Sequence, residues 1–316
     1  MGGSIRRKVV LQGNSTLSIS LPLKWAQKYG VQKGDEIDIR EESDRLIVSA
    51  QNQGPHTYEL IQDVSGLDPR LVDRLIARSY QKGYDKLILT HNDPTLLKII
   101  QDKVKELIGF EIMEYNDRSC VIQSISKRID LDFEICLRKL FLGLRYMLHA
   151  LEEAYRKSDY KALEHLYRRD LEINRLAYFC LRQLSKDHFT DGEATHKGHV
   201  LYYLIESAED LGDGLKRLAA ELAVAKKKSE RIEELFKRIL VQYELSYSYF
   251  YSPTKEKANT AYQFNKEIRK EIMKILSSTP SKDEHIAVYY LSEATHIIYH
   301  FASMKLDLLS EAPEHK

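Results

Sequence analysis

Short runs of alternating apolar and polar residues fill the first fifty positions, which is the pattern of β-strands. Runs at 8–12 and 16–20 predict one hairpin with a Gly-Asn-Ser turn, and runs at 36–40 and 45–49 predict a second. Between the hairpins, Pro22 suits the first turn of a short helix and Gly30 suits its end. The pattern predicts a ββαββ domain at residues 5–50. Domains of this size rarely bury enough apolar area within one chain, and intertwined dimerisation is a natural remedy.

Residues 55–125 alternate between strand and helix patterns after a polar linker at 51–55. Strand-like runs lie at 58–61, 86–90, 110–114 and 120–123. Two helical periods follow Asp-Pro pairs, at 68–69 and at 93–94, and each ends near a glycine. The segment therefore predicts a small α/β connecting module.

Helical periodicity then continues to the C-terminus and defines a domain at residues 126–311. The predicted helices lie near 130–157, 159–184, 195–225, 228–252, 255–277 and 283–311. Long helices with short connections form antiparallel bundles, and the grouping repeats at about 130–225 and 228–311. The predicted fold is multidomain α+β: a hairpin domain, an α/β module and tandem three-helix bundles.

Charge changes the interpretation of the N-terminal end more than composition does. The chain carries a formal net charge of only +1, yet residues 1–33 hold six Lys and Arg residues and no acidic residue. A local basic surface of this kind attracts polyanions.

The chain has three cysteines, an odd number, and they are widely spaced along the sequence. No apolar run reaches the length of a membrane span. We therefore expect reduced thiols, a cytoplasmic location and no membrane span.

The N-terminal segment resembles the AbrB-type swapped-hairpin DNA-binding domain. The similarity is carried by residues 13–19, by the Leu-Pro pair at 21–22 with Trp25, and by residues 31–37. The resemblance implies a homodimer that exchanges hairpins and presents basic residues to double-stranded DNA. The implied DNA contacts are Arg6, Arg7, Lys8 and Lys24. The alternative is a dimerisation module whose basic residues are only solvated.

The predicted third helix of the bundle carries four carboxylates within eight residues, at positions 206, 209, 210 and 213. Glu209 and Asp213 are four residues apart and share a helical face, so their repulsion calls for a compensating cation. Carboxylates on facing helices are a common way for bundles to hold metals. Gly212 and Gly214 weaken the helix unless a neighbouring element comes close.

Residues 209–219 resemble the signature helix of PhoU proteins. Glu209 and Asp213 fall on that family's metal-ligand pair, and Asp170 matches its second acidic motif. The resemblance implies a divalent or transition metal ion (Fe, Zn or Mg) held by Glu209, Asp213 and Asp170. The chain departs from the family at Asn174, where a second acid is common, and at positions 210 and 214, where Arg and His are usual.

The sixth predicted helix offers a second set of ligand types. Glu293, His296 and His300 lie near one helical face and could ligate a transition metal. The alternative is that both histidines pack at the edge of the core.

Together the two segments resemble a fusion found in archaeal phosphate-uptake regulators. They predict a DNA-binding transcriptional regulator of phosphate homeostasis, with the helical half as a sensor or as a binding site for phosphate-transport or phosphate-signalling proteins. One alternative is an adaptor that regulates a phosphate transporter by protein contact without binding DNA. A weaker one is a metal-dependent enzyme. The sequence offers no Ser/His/Asp or Cys/His arrangement, so we expect no enzymatic activity.

Overall fold

The computed structural model describes residues 6–13, 15–42, 45–50, 57–126, 131–187 and 192–309. The chain divides into two compact units, Met1–Thr57 and Tyr58–Lys316. Asn14, within the predicted first turn, lies outside the described residues.

The N-terminal unit contains the predicted order of two hairpins and one helix. Strand β1 pairs antiparallel with β2, helix α1 follows, and β3 pairs antiparallel with β4 in a separate two-stranded sheet. The elements are β1 (Val10–Gln12), β2 (Thr16–Ser18), α1 (Leu23–Lys28), β3 (Ile37–Glu42) and β4 (Arg45–Ala50). Gly30 follows Tyr29, the C-cap residue of α1, and has φ of +68°, a conformation that glycine adopts without strain. The predicted helix end is therefore confirmed.

Within a single chain, the described side chains of this unit form no buried core. None of its residues whose side chains are described is buried. Large apolar side chains that are more than half exposed occur throughout it: Val9, Val10, Leu11, Leu17, Ile19, Leu23, Ile39 and Leu46. This finding agrees with the expectation that a domain of this size rarely buries enough apolar area alone.

The second unit begins with a four-stranded sheet in the order β5-β6-β8-β7. Strands β5 and β6 are parallel, and the other pairs are antiparallel. Two helices lie in the same segment, which comprises β5 (Glu59–Asp63), α2 (Pro69–Gln81), β6 (Lys86–Thr90), α3 (Leu96–Val104), β7 (Phe110–Asn116) and β8 (Ser119–Ser124). Alternate residues of the central strands are fully buried, including Leu87, Leu89 and Ile122. The sheet therefore packs its core on one face, as the period-two pattern indicates.

The helical part contains two groups of three long helices. Helices α4, α6 and α7 pack together, α8, α9 and α10 form the second group, and α7 packs against α10 between them. The bounds are α4 (Phe133–Lys157), α5 (Tyr160–His165), α6 (Tyr167–Asp187), α7 (Gly192–Ala225), α8 (Glu230–Tyr251), α9 (Lys255–Ser277) and α10 (Lys282–Leu309). The predicted tandem arrangement is confirmed. Across the described ranges, no helix is long and apolar enough to cross a membrane.

The second predicted helix is interrupted in the structure. Instead of one helix over 159–184, the chain forms α5 and α6 with a turn at Leu166. Leu163 and Leu166 are buried, and α5 packs on α7. The segment contains neither glycine nor proline, so local sequence does not mark the break.

The α/β module and the helical bundle share one compact unit. Arg182 of α6 is 6% exposed and donates hydrogen bonds to the carbonyl oxygens of Tyr80 (2.9 Å) and Tyr84 (2.6 Å). Its other terminal nitrogen donates to Oδ1 of Asp85 at 2.6 Å. These contacts fix the end of α2 against α6.

Candidate functional site

The predicted DNA contacts all lie on the surface of the N-terminal unit. Arg6, Arg7 and Lys8 precede β1, and Lys24 is on α1. All four side chains are exposed. Exposed cations at the end of a short strand are sterically free to approach a phosphate backbone.

The acidic residues of α6 and α7 meet through a lysine. Lys216 Nζ lies 2.6 Å from Oδ2 of Asp170 and also contacts Oδ1 of Asp213. Asp170 is only 2% exposed, and burial raises its pKa although Lys216 opposes the shift. Burial alone would lower the pKa of Lys216, but its hydrogen bonds with Asp170 and Asp213 raise it above the ordinary value. The ion pair therefore keeps the ammonium charged.

Glu209, the third predicted ligand, has a different environment. The hydroxyl of Tyr178 donates to its Oε1 at 3.4 Å. Burial, followed by repulsion from Asp213 and Asp210, raises the pKa of Glu209 to about 7. The structure thus joins Asp170 to Asp213 and leaves Glu209 in a separate hydrogen bond.

A metal would not fit these residues as they are arranged. Within the described ranges, no three His, Cys, Asp or Glu side chains are grouped so that they could hold a metal ion. A ligand set of Glu209, Asp213 and Asp170 would first require Lys216 to leave. The metal site stays a prediction.

Gly212 has the packing role that its position in a helix predicts, whereas Gly214 does not. A Cβ at Gly212 would lie 3.1 Å from Cγ2 of Ile173 and 3.6 Å from Oδ1 of Asp170. A Cβ at Gly214 would have no atom within 4 Å. Only Gly212 therefore allows α6 to approach α7 closely.

Sequence reasoning missed Lys216, which pairs with Asp170 and Asp213, and Lys103, a buried lysine of the α/β module. Lys216 is three residues after Asp213, a spacing that allows an ion pair on a helix. Lys103 of α3 is 5% exposed and pairs with Glu106 at 2.8 Å and with Asp73 at 3.2 Å. The burial of Lys103 could have been predicted from its position three residues after the apolar Ile100, on the same face of α3.

The second predicted set of metal ligands, Glu293, His296 and His300, lies along α10, and its two histidine rings are in contact. The rings of His296 and His300 are 4.3 Å apart, and burial and His296 lower the pKa of His300. Glu293 and His296 are exposed and line a cavity of about 500 Å³ between α9 and α10. On α9, Asn265 is buried and accepts a hydrogen bond from Gln242 at 3.2 Å. Both histidines therefore lie at the edge of the bundle.

Comparison with known proteins distinguishes the two ends of the chain. Residues 10–56 match the family model of the antidote-toxin recognition protein MazE, a bacterial antitoxin. The N-terminal domain is MazE/AbrB-like. The crystal structure of the phosphate transport system regulatory protein PhoU from Streptococcus pneumoniae is similar to 58% of this chain and 100% of that chain, with 14% identity and a TM-score of 0.41. No curated protein sequence matches the chain.

Proposed function

We propose that this protein is a dimeric DNA-binding transcriptional regulator of phosphate uptake. One observation carries the proposal: the N-terminal unit exposes its apolar residues together with a purely basic end. The described side chains of this unit include eight large, exposed apolar residues and none that is buried. A soluble monomer rarely exposes so much apolar surface for its size.

A second copy of the chain is the partner that suits this surface. The two hairpins form separate two-stranded sheets, so each leaves strand edges unpaired. A two-stranded hairpin is at best marginally stable in water and needs further strands or another packing surface. Hairpins from two chains can supply both, and the match of residues 10–56 to a MazE family model supports this arrangement.

DNA is the partner that suits the charge. Residues 1–33 carry six basic residues and no acid, and a dimer would present two such ends. Lys and Arg contacts to phosphates give affinity regardless of sequence, while two linked copies restrict the orientation on the duplex. Arg6, Arg7 and Lys8, with Lys24 next, are the proposed contacts.

The proposed link to phosphate regulation rests on the helical half of the chain. The segment 209–219 resembles the PhoU signature helix, and PhoU from Streptococcus pneumoniae is described as a regulatory protein of the phosphate transport system. We propose that the bundle senses a signal or binds a phosphate-transport or phosphate-signalling protein. No catalytic step is part of this proposal.

The second candidate is an adaptor that contacts a phosphate transporter, with an N-terminal unit that only dimerises. The exposed apolar surface favours dimerisation whether or not DNA binds. DNA binding therefore separates the two candidates, whereas oligomeric state alone does not.

Dimerisation through the N-terminal unit is tested with Leu17→Asp, since Leu17 is 70% exposed on β2. Val224→Asp is the matched control, because Val224 is 81% exposed in the second unit. Light scattering after size-exclusion chromatography should show dimers for wild type and Val224→Asp and monomers for Leu17→Asp. A monomeric wild type, or a Leu17→Asp variant that stays dimeric, contradicts the proposed interface.

A further inference from the structure

We propose that Lys216 is the resident cation of the Asp170–Asp213 pair and takes the place that the PhoU resemblance gives to a metal ion. Its ammonium bridges one carboxylate from α6 and one from α7. This inference concerns the helical half and does not depend on DNA binding.

The burial of Asp170 favours a cation beside it. Asp170 is 2% exposed, and an ionised carboxylate is costly to bury unless a charge compensates it. Lys216 lies three residues after Asp213 on the same helix, so the compensation is local and does not require a ligand from solution.

Both carboxylate oxygens of Asp213 contact a basic side chain. Lys216 contacts its Oδ1, and Arg217 Nη2 lies 2.7 Å from its Oδ2. The two basic residues differ in position: the side chain of Lys216 is 32% exposed between the helices, whereas that of Arg217 is 58% exposed. A metal at this position must displace Lys216 first.

A second buried lysine, on α3, lies in the α/β module. Lys103 pairs with Glu106 and Asp73, and its Nζ lies 5.3 Å from the centre of the Tyr178 ring. The hydroxyl of Tyr178 in turn contacts Glu209. Lys103 therefore pairs with carboxylates of the α/β module, whereas Lys216 is the lysine in contact with Asp170 and Asp213.

Removing Lys216 should leave room for an ion. Oδ1 of Asp170 and Oδ1 of Asn174 are buried and have no hydrogen-bond partner among the residues that the structure describes. Together with Asp213 they would provide oxygen ligands once the ammonium is gone, and oxygen ligands suit hard divalent cations.

The experiment uses the full-length protein and Mn²⁺ as the probe, titrated by calorimetry and by electron paramagnetic resonance. Wild type should contain no stoichiometric metal, and EDTA should leave its Tm unchanged. Lys216→Met should bind Mn²⁺ at least about tenfold more tightly than wild type, because a competing positive charge is gone. Adding Asp213→Asn should abolish that gain.

Arg217→Met is the matched control, since it removes the same charge from the same carboxylate without opening the space between the helices. It should bind no more Mn²⁺ than wild type. The proposal is overturned if wild type holds a stoichiometric metal whose removal lowers Tm. It is also overturned if Lys216→Met, folded by circular dichroism, binds Mn²⁺ no better than Arg217→Met. The EDTA measurement needs no variant and decides alone if Lys216→Met does not fold.

Discussion

Arg182 is a buried side chain that joins the α/β module to the helical bundle, and Arg182→Ala measures how much its contacts stabilise the protein. The guanidinium donates to two backbone carbonyls and to Asp85, all within 2.9 Å. It also lies 4.9 Å from the ring centre of Tyr80 and 4.8 Å from that of Phe110. Truncation removes all of these contacts from a buried position.

The expected loss is about 3 kcal/mol of the free energy of unfolding. Breaking a buried ion pair costs roughly 3–5 kcal/mol because a charge stays behind without its partner. Here Asp85 keeps a contact with Lys186, which favours the lower end of that range. Two carbonyl oxygens lose their donor as well, and each unsatisfied group adds to the cost.

Urea unfolding at 25 °C, followed by circular dichroism at 222 nm, measures this loss. The helical signal is the appropriate probe because the only tryptophan of the chain, Trp25, lies in the other unit. Lys186→Ala is the control: Lys186 contacts the same carboxylate, but its side chain is 31% exposed, so about 0.5 kcal/mol is expected. Similar losses for both variants, or less than about 1 kcal/mol for Arg182→Ala, refute the reasoning on buried pairing.

Two further predictions concern the helices. Gly212→Ala should destabilise the protein by about 1 kcal/mol, because the tight contact with α6 outweighs the gain in helix propensity. Gly214→Ala should stabilise it by about 0.5–1 kcal/mol, because the added Cβ has open space around it. Thermal unfolding of both variants tests this difference, and equal effects on stability would contradict the packing argument. Hydrogen bonds from the Ser229 hydroxyl and the Ser281 amide lower the pKa of Glu284 to about 2 from its ordinary value of 4.5. The ionised Glu284 therefore contributes its full stabilisation above pH 4.5, and this contribution is lost as the pH falls through 2. In acid titrations of Tm, Glu284→Gln should lose less stability between pH 5 and 2 than wild type. The same fall of Tm with pH in both proteins would contradict this assignment.

The order of strands and helices could be predicted because it depends on local patterns. Period-two alternation gave the hairpins, and helical periodicity gave the bundle, with Gly30 at the predicted end of α1. The break at Leu166 could not be predicted, since no glycine or proline marks it. It reflects packing of α5 on α7, a tertiary contact.

The candidate site was predictable in its acidic members but not in its cations. The spacing of Glu209 and Asp213 shows a shared face, whereas a lysine three residues later is most often a solvated partner. The bridge from Lys216 to Asp170 spans 46 residues, and the bond from Arg182 to Asp85 spans 97. Contacts between residues so far apart depend on how the helices pack, and no local pattern reports that.

Binding of duplex DNA across a range of salt concentrations tests the central claim most directly. The measurement is fluorescence anisotropy on wild type, on a triple variant with alanine at Arg6, Arg7 and Lys8, and on a control with alanine at the exposed Lys255, Lys270 and Lys274.

Wild type and control should share a steep fall of log K with log salt concentration. The N-terminal variant should flatten that slope by about 5, because a dimer loses up to six phosphate contacts at roughly 0.9 each. Absence of wild-type binding to any duplex at low salt, or an unchanged slope in the N-terminal variant, contradicts the account and favours the adaptor.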